Sequence, residues 1–292
     1  EPDDKLLVER HGQMQWVQRI QNVLDQNRFR LFFQPIAKLN MGRNEKPMTH
    51  GEVLVRMLDE NNEIVGPGSF IPSAERYFLM PAIDRWVVEN TFKMLVLNKN
   101  EVAKKVSTCC INLSGQSLSD ERFMDFLVNQ IQDSGVPTEL LCFEITETAI
   151  IANLCQATRL ISKLRDMGCR FALDDFGVGL SSFSYLKSLA VDYLKLDGCF
   201  VNNMVNDAMD GAMVKAINQI GHTMGIKTIA EFVENAVTLR AISDIGVDYA
   251  QGYIIAAPAP IEIWLSSDPL TVDIPYADEN APIPIKIVSG KS

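Results

Sequence analysis

A short apolar run, then a helical spacing, then another short run: this alternation repeats about eight times along the chain and constrains its fold more than any other feature. Strand-like runs stand at 29–36, 51–58, 106–113, 140–145, 170–175, 191–196, 227–232 and 247–255. Helical spacing covers 14–27, a region opened by Ser73 as N-cap, broken before Pro81 and resumed to Asn98, then 119–134, 153–167, 208–224 and 236–245. The pattern predicts an α/β fold, a (β/α)8 TIM-type barrel, with an open doubly wound sheet as the runner-up. Residues 41–48 read as a turn. Residues 1–13 read as a linker from a preceding domain, 14–263 as the domain itself, and 264–292 as an irregular tail.

Composition removes other classes. With 47% hydrophobic and 22% charged residues, the chain has apolar side chain enough to fold. Its 27 basic and 37 acidic residues leave a net charge of −10. That balance, without a basic cluster, argues against a nucleic-acid polymer as partner. No run approaches the ~18 apolar residues of a membrane span, so no membrane contact is expected. The chain opens at Glu1 without a basic-then-apolar leader and reads as a cytoplasmic part of a longer protein, with an inner-membrane anchor elsewhere in the parent left open. The six cysteines form no CxxC pair and read as buried, reduced thiols; three histidines are too few for imidazole-based zinc chemistry. Neither GxGxxG after a strand nor GxxxxGK[ST] occurs.

The chemistry lies in how the strands end. Asn112, Glu144, Asp174 with Asp175, Lys195 and Glu231 fall at or near strand ends, Glu52 lies in the second strand and Gln251 in the last. A lone acid there is commonly solvated or caps the next helix, and Glu231 with Glu234 fits a helix start. Repetition on successive strands is another matter, because a barrel gathers such positions at one rim. Many carboxylates in a water-poor mouth need cations. Oxygen donors without His or Cys favour Mg²⁺ or Mn²⁺, and two such ions bridged by a carboxylate suit phosphodiester hydrolysis.

These residues carry a resemblance. FFQPI (32–36), EVLVR (52–56), INLS (111–114), FEITE (143–147), DDFGVGLSSFSYLKSLAVDYLKLDGCFV (174–201), AEFVE (230–234) and QGY (251–253), in this order, resemble the EAL-domain phosphodiesterases of bacterial cyclic di-GMP signalling, over roughly 14–260. The resemblance implies a (β/α)8 barrel with one antiparallel strand, two Mg²⁺ or Mn²⁺ ions, and hydrolysis of cyclic di-GMP to linear pGpG. It implies metal ligation by Glu52, Asn112, Glu144, Asp174 and Glu231, with Asp174 bridging to a second ion on Asp175. Lys195 would orient or deprotonate the attacking water, and Gln251 would sit beside the second ion at the substrate rim. Glu147 would anchor the loop after Asp175, and Glu234 would lie in an outer shell near Lys195. Gln34 and Arg56 would contact substrate, Arg56 at a phosphate. A homodimer and fusion to GGDEF or sensory domains are further implications. The signature reads Glu-Val-Leu rather than Glu-Ala-Leu, Met57 stands where the family often has Trp, which bears on substrate packing, and Val178 and Leu180 replace a Thr and an aromatic. The alternatives are a receptor that binds cyclic di-GMP without cutting it, and an unrelated barrel lyase with Lys195 as base.

Overall fold

The computed structural model describes residues 16–39, 49–178 and 185–266. The expected linker 1–13, the turn at 41–48, Leu180 and the tail beyond 266 lie outside these residues. Ten strands form one sheet: β1 (Phe29–Lys38), β2 (Thr49–Leu58), β3 (Ile64–Val65), β4 (Val106–Asn112), β5 (Leu141–Thr146), β6 (Arg170–Phe176), β7 (Tyr193–Leu196), β8 (Lys227–Ala230), β9 (Tyr249–Gln251) and β10 (Ala259–Pro260). Eight of them close a ring in the order β1-β2-β4-β5-β6-β7-β8-β9, with β9 returning to β1. β1 is antiparallel to both neighbours, whereas every other adjacent pair in the ring is parallel. The expected barrel with one reversed strand is therefore present, and the open sheet is excluded because β1 pairs on both edges.

Period-2 alternation divides each strand between two environments. On β5, Leu141, Phe143 and Ile145 join the core under the helices, while Cys142 belongs to a separate cluster inside the ring. The covering helices follow the expected cues. In Glu121–Ser134, Asp120 caps the first turn by accepting the Arg122 N–H, and Gly135 ends the helix at φ 71°. Phe123, Leu127, Val128 and Ile131 form its buried stripe. No helix among the described residues is long and apolar enough to cross a membrane.

Four local expectations change. The helix assigned to Ser73 begins earlier, as Pro67–Arg76 with Gly66 as N-cap, because proline's fixed φ suits the first helical turn. Met57 is fully buried in the core, so it cannot face substrate. Two of the six cysteines, Cys155 and Cys199, are exposed; all six are unpaired thiols. Packing also continues past 263. The helix Ile261–Ser266 sets Trp264 against Phe33, ring centroids 4.0 Å apart, and Leu265 O accepts from Lys105 Nζ at 2.5 Å.

Gly252 follows Gln251 where the chain turns over the rim at φ 157°. A Cβ there would lie 2.3 Å from Val233 N and 2.2 Å from Val233 O. Gly252→Ala should therefore destabilise the fold by about 3 kcal/mol, measured by urea denaturation. An unchanged midpoint would mean that this crossing is loose.

Candidate active site

Inside the ring, Ile36, Cys110, Cys142, Ala172, Tyr193 and Ile229 form an inner layer. His50 joins it, its ring 4.8 Å from Tyr193 and 5.4 Å from Tyr249. The next inward position on each parallel strand lies two residues on. Those positions are Glu52, Asn112, Glu144, Asp174, Lys195, Glu231 and Gln251; on the reversed β1, two residues back from Ile36, the position is Gln34. One pleat step above an uncharged layer thus delivers eight polar side chains to the mouth.

Lys195 is their centre. Its Nζ lies 2.9 Å from Glu144 Oε2, 2.9 Å from Glu231 Oε1, 3.2 Å from Asp174 Oδ1 and 3.3 Å from Glu52 Oε2. Lys195 is 1% exposed, so the ammonium has exchanged water for carboxylate oxygens. Burial opposes its charge, but Asp174, Glu144, Glu231 and Glu52 outweigh burial and raise its pKa well above the ordinary value. Gln251 Nε2 donates to Glu52 Oε2 at 2.7 Å and Asn112 Nδ2 to Glu52 Oε1 at 2.6 Å. With Lys195, these donors overcome burial and hold Glu52 below the usual carboxyl range. Glu144 and Glu231 go the other way. Burial and the neighbouring acids push Glu144 to about 8 and Glu231 well up, against the pull of Lys195.

Asp175 breaks the alternation. The β6–β7 register shifts between Leu173 and Phe176, and Asp175 takes φ 53°. Such a bulge re-aims a side chain, so two successive acids can serve one mouth. Burial, then Asp174 and Asp197, raises Asp175 to about 6. Glu147 holds the turn that follows: its Oε2 accepts the Gly177 N–H at 3.0 Å and its Oε1 the Tyr185 hydroxyl at 2.6 Å. Gln34 Oε1 accepts from Gln251 Nε2 at 3.2 Å, and Arg56, with its guanidinium 5.3 Å from the Phe32 ring, lines the cavity at the mouth. Glu234 is exposed just past β8 and is not among the direct ion pairs of Lys195, which are with Glu52, Glu144, Asp174 and Glu231.

Sequence reasoning missed Asp84 and the Tyr185 contact. Asp84 is buried in helix Met80–Leu97, and its Oδ2 accepts from Ser114 N at 2.9 Å and from the Ser114 and Ser117 hydroxyls, both at 2.7 Å. It fastens the loop two residues beyond Asn112. The available signal was an acid between Ile83 and Val87, on an otherwise apolar helix face.

Divalent cations fit these residues. Oxygens of Asp174, Asp175 and Glu231 lie within 4.8 Å of one another. Glu144 Oε1 is buried without an N–H or O–H partner among the described residues. All donors are oxygen, the set that hard cations select. Four acid side chains surround one ammonium, so cations that joined them would favour the ionised forms of Glu144 and Glu231 that burial disfavours.

Fold and mouth together define a (β/α)8 barrel with an acid-lined, cation-seeking rim. The EAL domain family matches residues 17–258, and this chain belongs to it. It is 41% identical to the cyclic di-GMP phosphodiesterase PdeB of Shewanella oneidensis, over 88% of this chain and 30% of that protein. It is 34% identical to the cyclic di-GMP phosphodiesterase PdeF of Escherichia coli, over 83% of this chain and 32% of that protein. The chain thus spans about a third of the length of these curated relatives. Among solved structures, the FimX EAL domain of Pseudomonas aeruginosa bound to c-di-GMP superposes with a TM-score of 0.76 at 31% identity, covering 84% of this chain and 96% of that one.

The raised carboxyls set a pH dependence. The folded chain keeps a proton on Glu144 up to about 8, whereas the unfolded chain releases it near 4.5. This contribution to stability is complete below the lower value and is lost as pH rises through the higher one. The Tm of the metal-free protein should fall between about pH 5 and 8, and added Mg²⁺ or Mn²⁺ should offset the fall. A Tm that climbs across that window in calorimetry would contradict the burial of Glu144.

Proposed function

We propose that this chain hydrolyses cyclic di-GMP to linear pGpG and requires Mg²⁺ or Mn²⁺. The observation that carries this reading is the convergence of Glu52, Glu144, Asp174 and Glu231 on Lys195, within a family whose relatives PdeB and PdeF are named cyclic di-GMP phosphodiesterases. Glu52, Asn112, Glu144, Asp174 and Glu231 would hold one ion, and Asp174 with Asp175 a second. When bound, the ions supply Lewis-acid polarisation and lower the pKa of water.

The chain's own groups do the rest. Lys195, fixed by its carboxylates, orients the attacking water through Nζ. Water attacks one phosphorus in line, the bond from phosphorus to ribose O3′ breaks, O3′ takes up a proton, and the product keeps a 5′-phosphate. Arg56 offers a guanidinium to a phosphate oxygen, the pairing its planar fork favours. Gln34 and Gln251 hold the rim against the ribose–phosphate ring. Glu147 acts at a distance, keeping Gly177 and hence Asp175 in place. Glu234 enters only as an outer charge. A homodimer, and a GGDEF or sensory domain in the same polypeptide, belong to this reading too.

The test is an assay of this chain on cyclic di-GMP with Mg²⁺, Mn²⁺ and Ca²⁺ in parallel, with products identified. pGpG should form with Mg²⁺ or Mn²⁺. Tight binding without product would favour the receptor reading. Glu52→Ala should lower kcat by more than about a hundredfold, beyond the effect typical of an outer-shell change, with the circular dichroism spectrum retained. Near-parent turnover of that variant would refute the ligand assignment. Lys195→Ala should lower kcat more than it raises KM.

A further inference from the structure

Phe78 has features that the proposed hydrolysis leaves unexplained. It follows helix Pro67–Arg76, and its N–H bonds Glu75 O at 3.2 Å while the Leu79 N–H bonds Ala74 O at 2.8 Å. These are the two closing bonds of a Schellman helix end, which requires a left-handed residue where Phe78 stands. Phe78 takes φ 57°, a conformation that suits glycine and is strained for a bulky side chain. Burial does not offset that strain, since the side chain is 79% exposed. The ring instead borders a cavity of about 970 Å³ whose wall also includes Arg56, Asn112 and Asp175. Gln116 lines the same wall. Its amide nitrogen is held by Glu75 O, and its Oε1 is buried with no partner among the described residues.

A strained aromatic on a cavity that runs into the acid mouth, beside an unused amide acceptor, matches one kind of group. A purine base offers a flat π face to a ring and N–H donors at its edge to a carbonyl oxygen. We propose that Phe78 is a specificity-determining residue. Its ring forms one face of a slot for a guanine base of the cyclic dinucleotide, Gln116 Oε1 accepts from the base edge, and Arg56 meets the attached phosphate. This rests on the hydrolysis reading for its substrate but not for its test.

The variants Phe78→Gly, Phe78→Trp and Gln116→Ala are compared with the parent on cyclic di-GMP and on bis(p-nitrophenyl) phosphate, a phosphodiester without bases. Phe78→Gly relieves the backbone and deletes the ring, so its Tm should equal or exceed the parent's. Its KM for cyclic di-GMP should rise about tenfold, the scale of one base–aromatic stack, and its kcat/KM preference for cyclic di-GMP over the base-free ester should fall by a similar factor. Phe78→Trp should keep the parent KM, and Gln116→Ala should lower the preference. A Phe78→Gly enzyme with parent KM and preference overturns the proposal. If the parent hydrolyses nothing, the hydrolysis reading fails by itself, and the slot is judged by calorimetric titration of cyclic di-GMP in Ca²⁺. There, about tenfold weaker binding to Phe78→Gly upholds it, and equal binding, or no binding by either protein, overturns it.

Discussion

Lys195 places one ammonium within 3.3 Å of four carboxylates in a space that water barely reaches. Neither side of that arrangement is stable alone. Removing one partner from a buried ion cluster commonly costs about 3–5 kcal/mol, because the remaining charges keep their desolvation penalty. The penalty is divided unevenly here. Glu52, with amide donors from Gln251 and Asn112 as well as Lys195, stays ionised easily. Glu144 and Glu231, with fewer donors, are pushed up by burial and by their neighbouring acids. A mouth built this way favours extra positive charge, and its oxygen-only chemistry sets the kind.

The barrel supports this strain through its hydrogen-bonded wall. Asp175 apart, the strands place their mouth residues by pleat, one step beyond an inner layer that includes Cys110, Cys142, Ala172 and Ile229. That layer carries no full charge and leaves little room for water. The loops need separate fastening, and buried acids supply it. Asp84 ties down the loop after Asn112, and Glu147 the turn after Asp175. The acids described at the mouth therefore divide into those that face one another across it and those that hold its edge.

Much of this was legible in the sequence because strand positions are local. Once strands are assigned, their ends and alternating faces follow, so Glu52, Glu144, Asp174, Lys195 and Glu231 could be grouped from their spacing alone. The reversed β1 was not legible in that way, since direction leaves no mark on an apolar run, and only family resemblance supplied it. The start of helix Pro67–Arg76 was misplaced because Ser73 is a familiar cap, although Gly66 and Pro67 together form an equally good start. Partners distant in sequence were invisible: nothing near Asp84 announces Ser114, and nothing near Glu147 announces Tyr185. Glu234, to which the resemblance gives an outer-shell place, stands exposed just past β8, three residues from Glu231. The left-handed turn at Phe78 occurs at a bulky residue that ordinarily avoids it, so propensity argued against it, whereas Asp175 is of a type that tolerates the turn but stands in a run that reads as strand.

The reversed strand also sets how force would pass through the molecule. β1 starts with Phe29 beside Met57, at the end where its neighbours finish, and stops with Lys38 beside Tyr249, where they begin. Helix 16–25 therefore joins the barrel at its open end. A pull or twist on that helix would reach Gln34 through five residues of one strand, without crossing the wall. The chain's own entry point is thus a short mechanical handle on the rim, and motion upstream of Phe29 has a direct line to the acids.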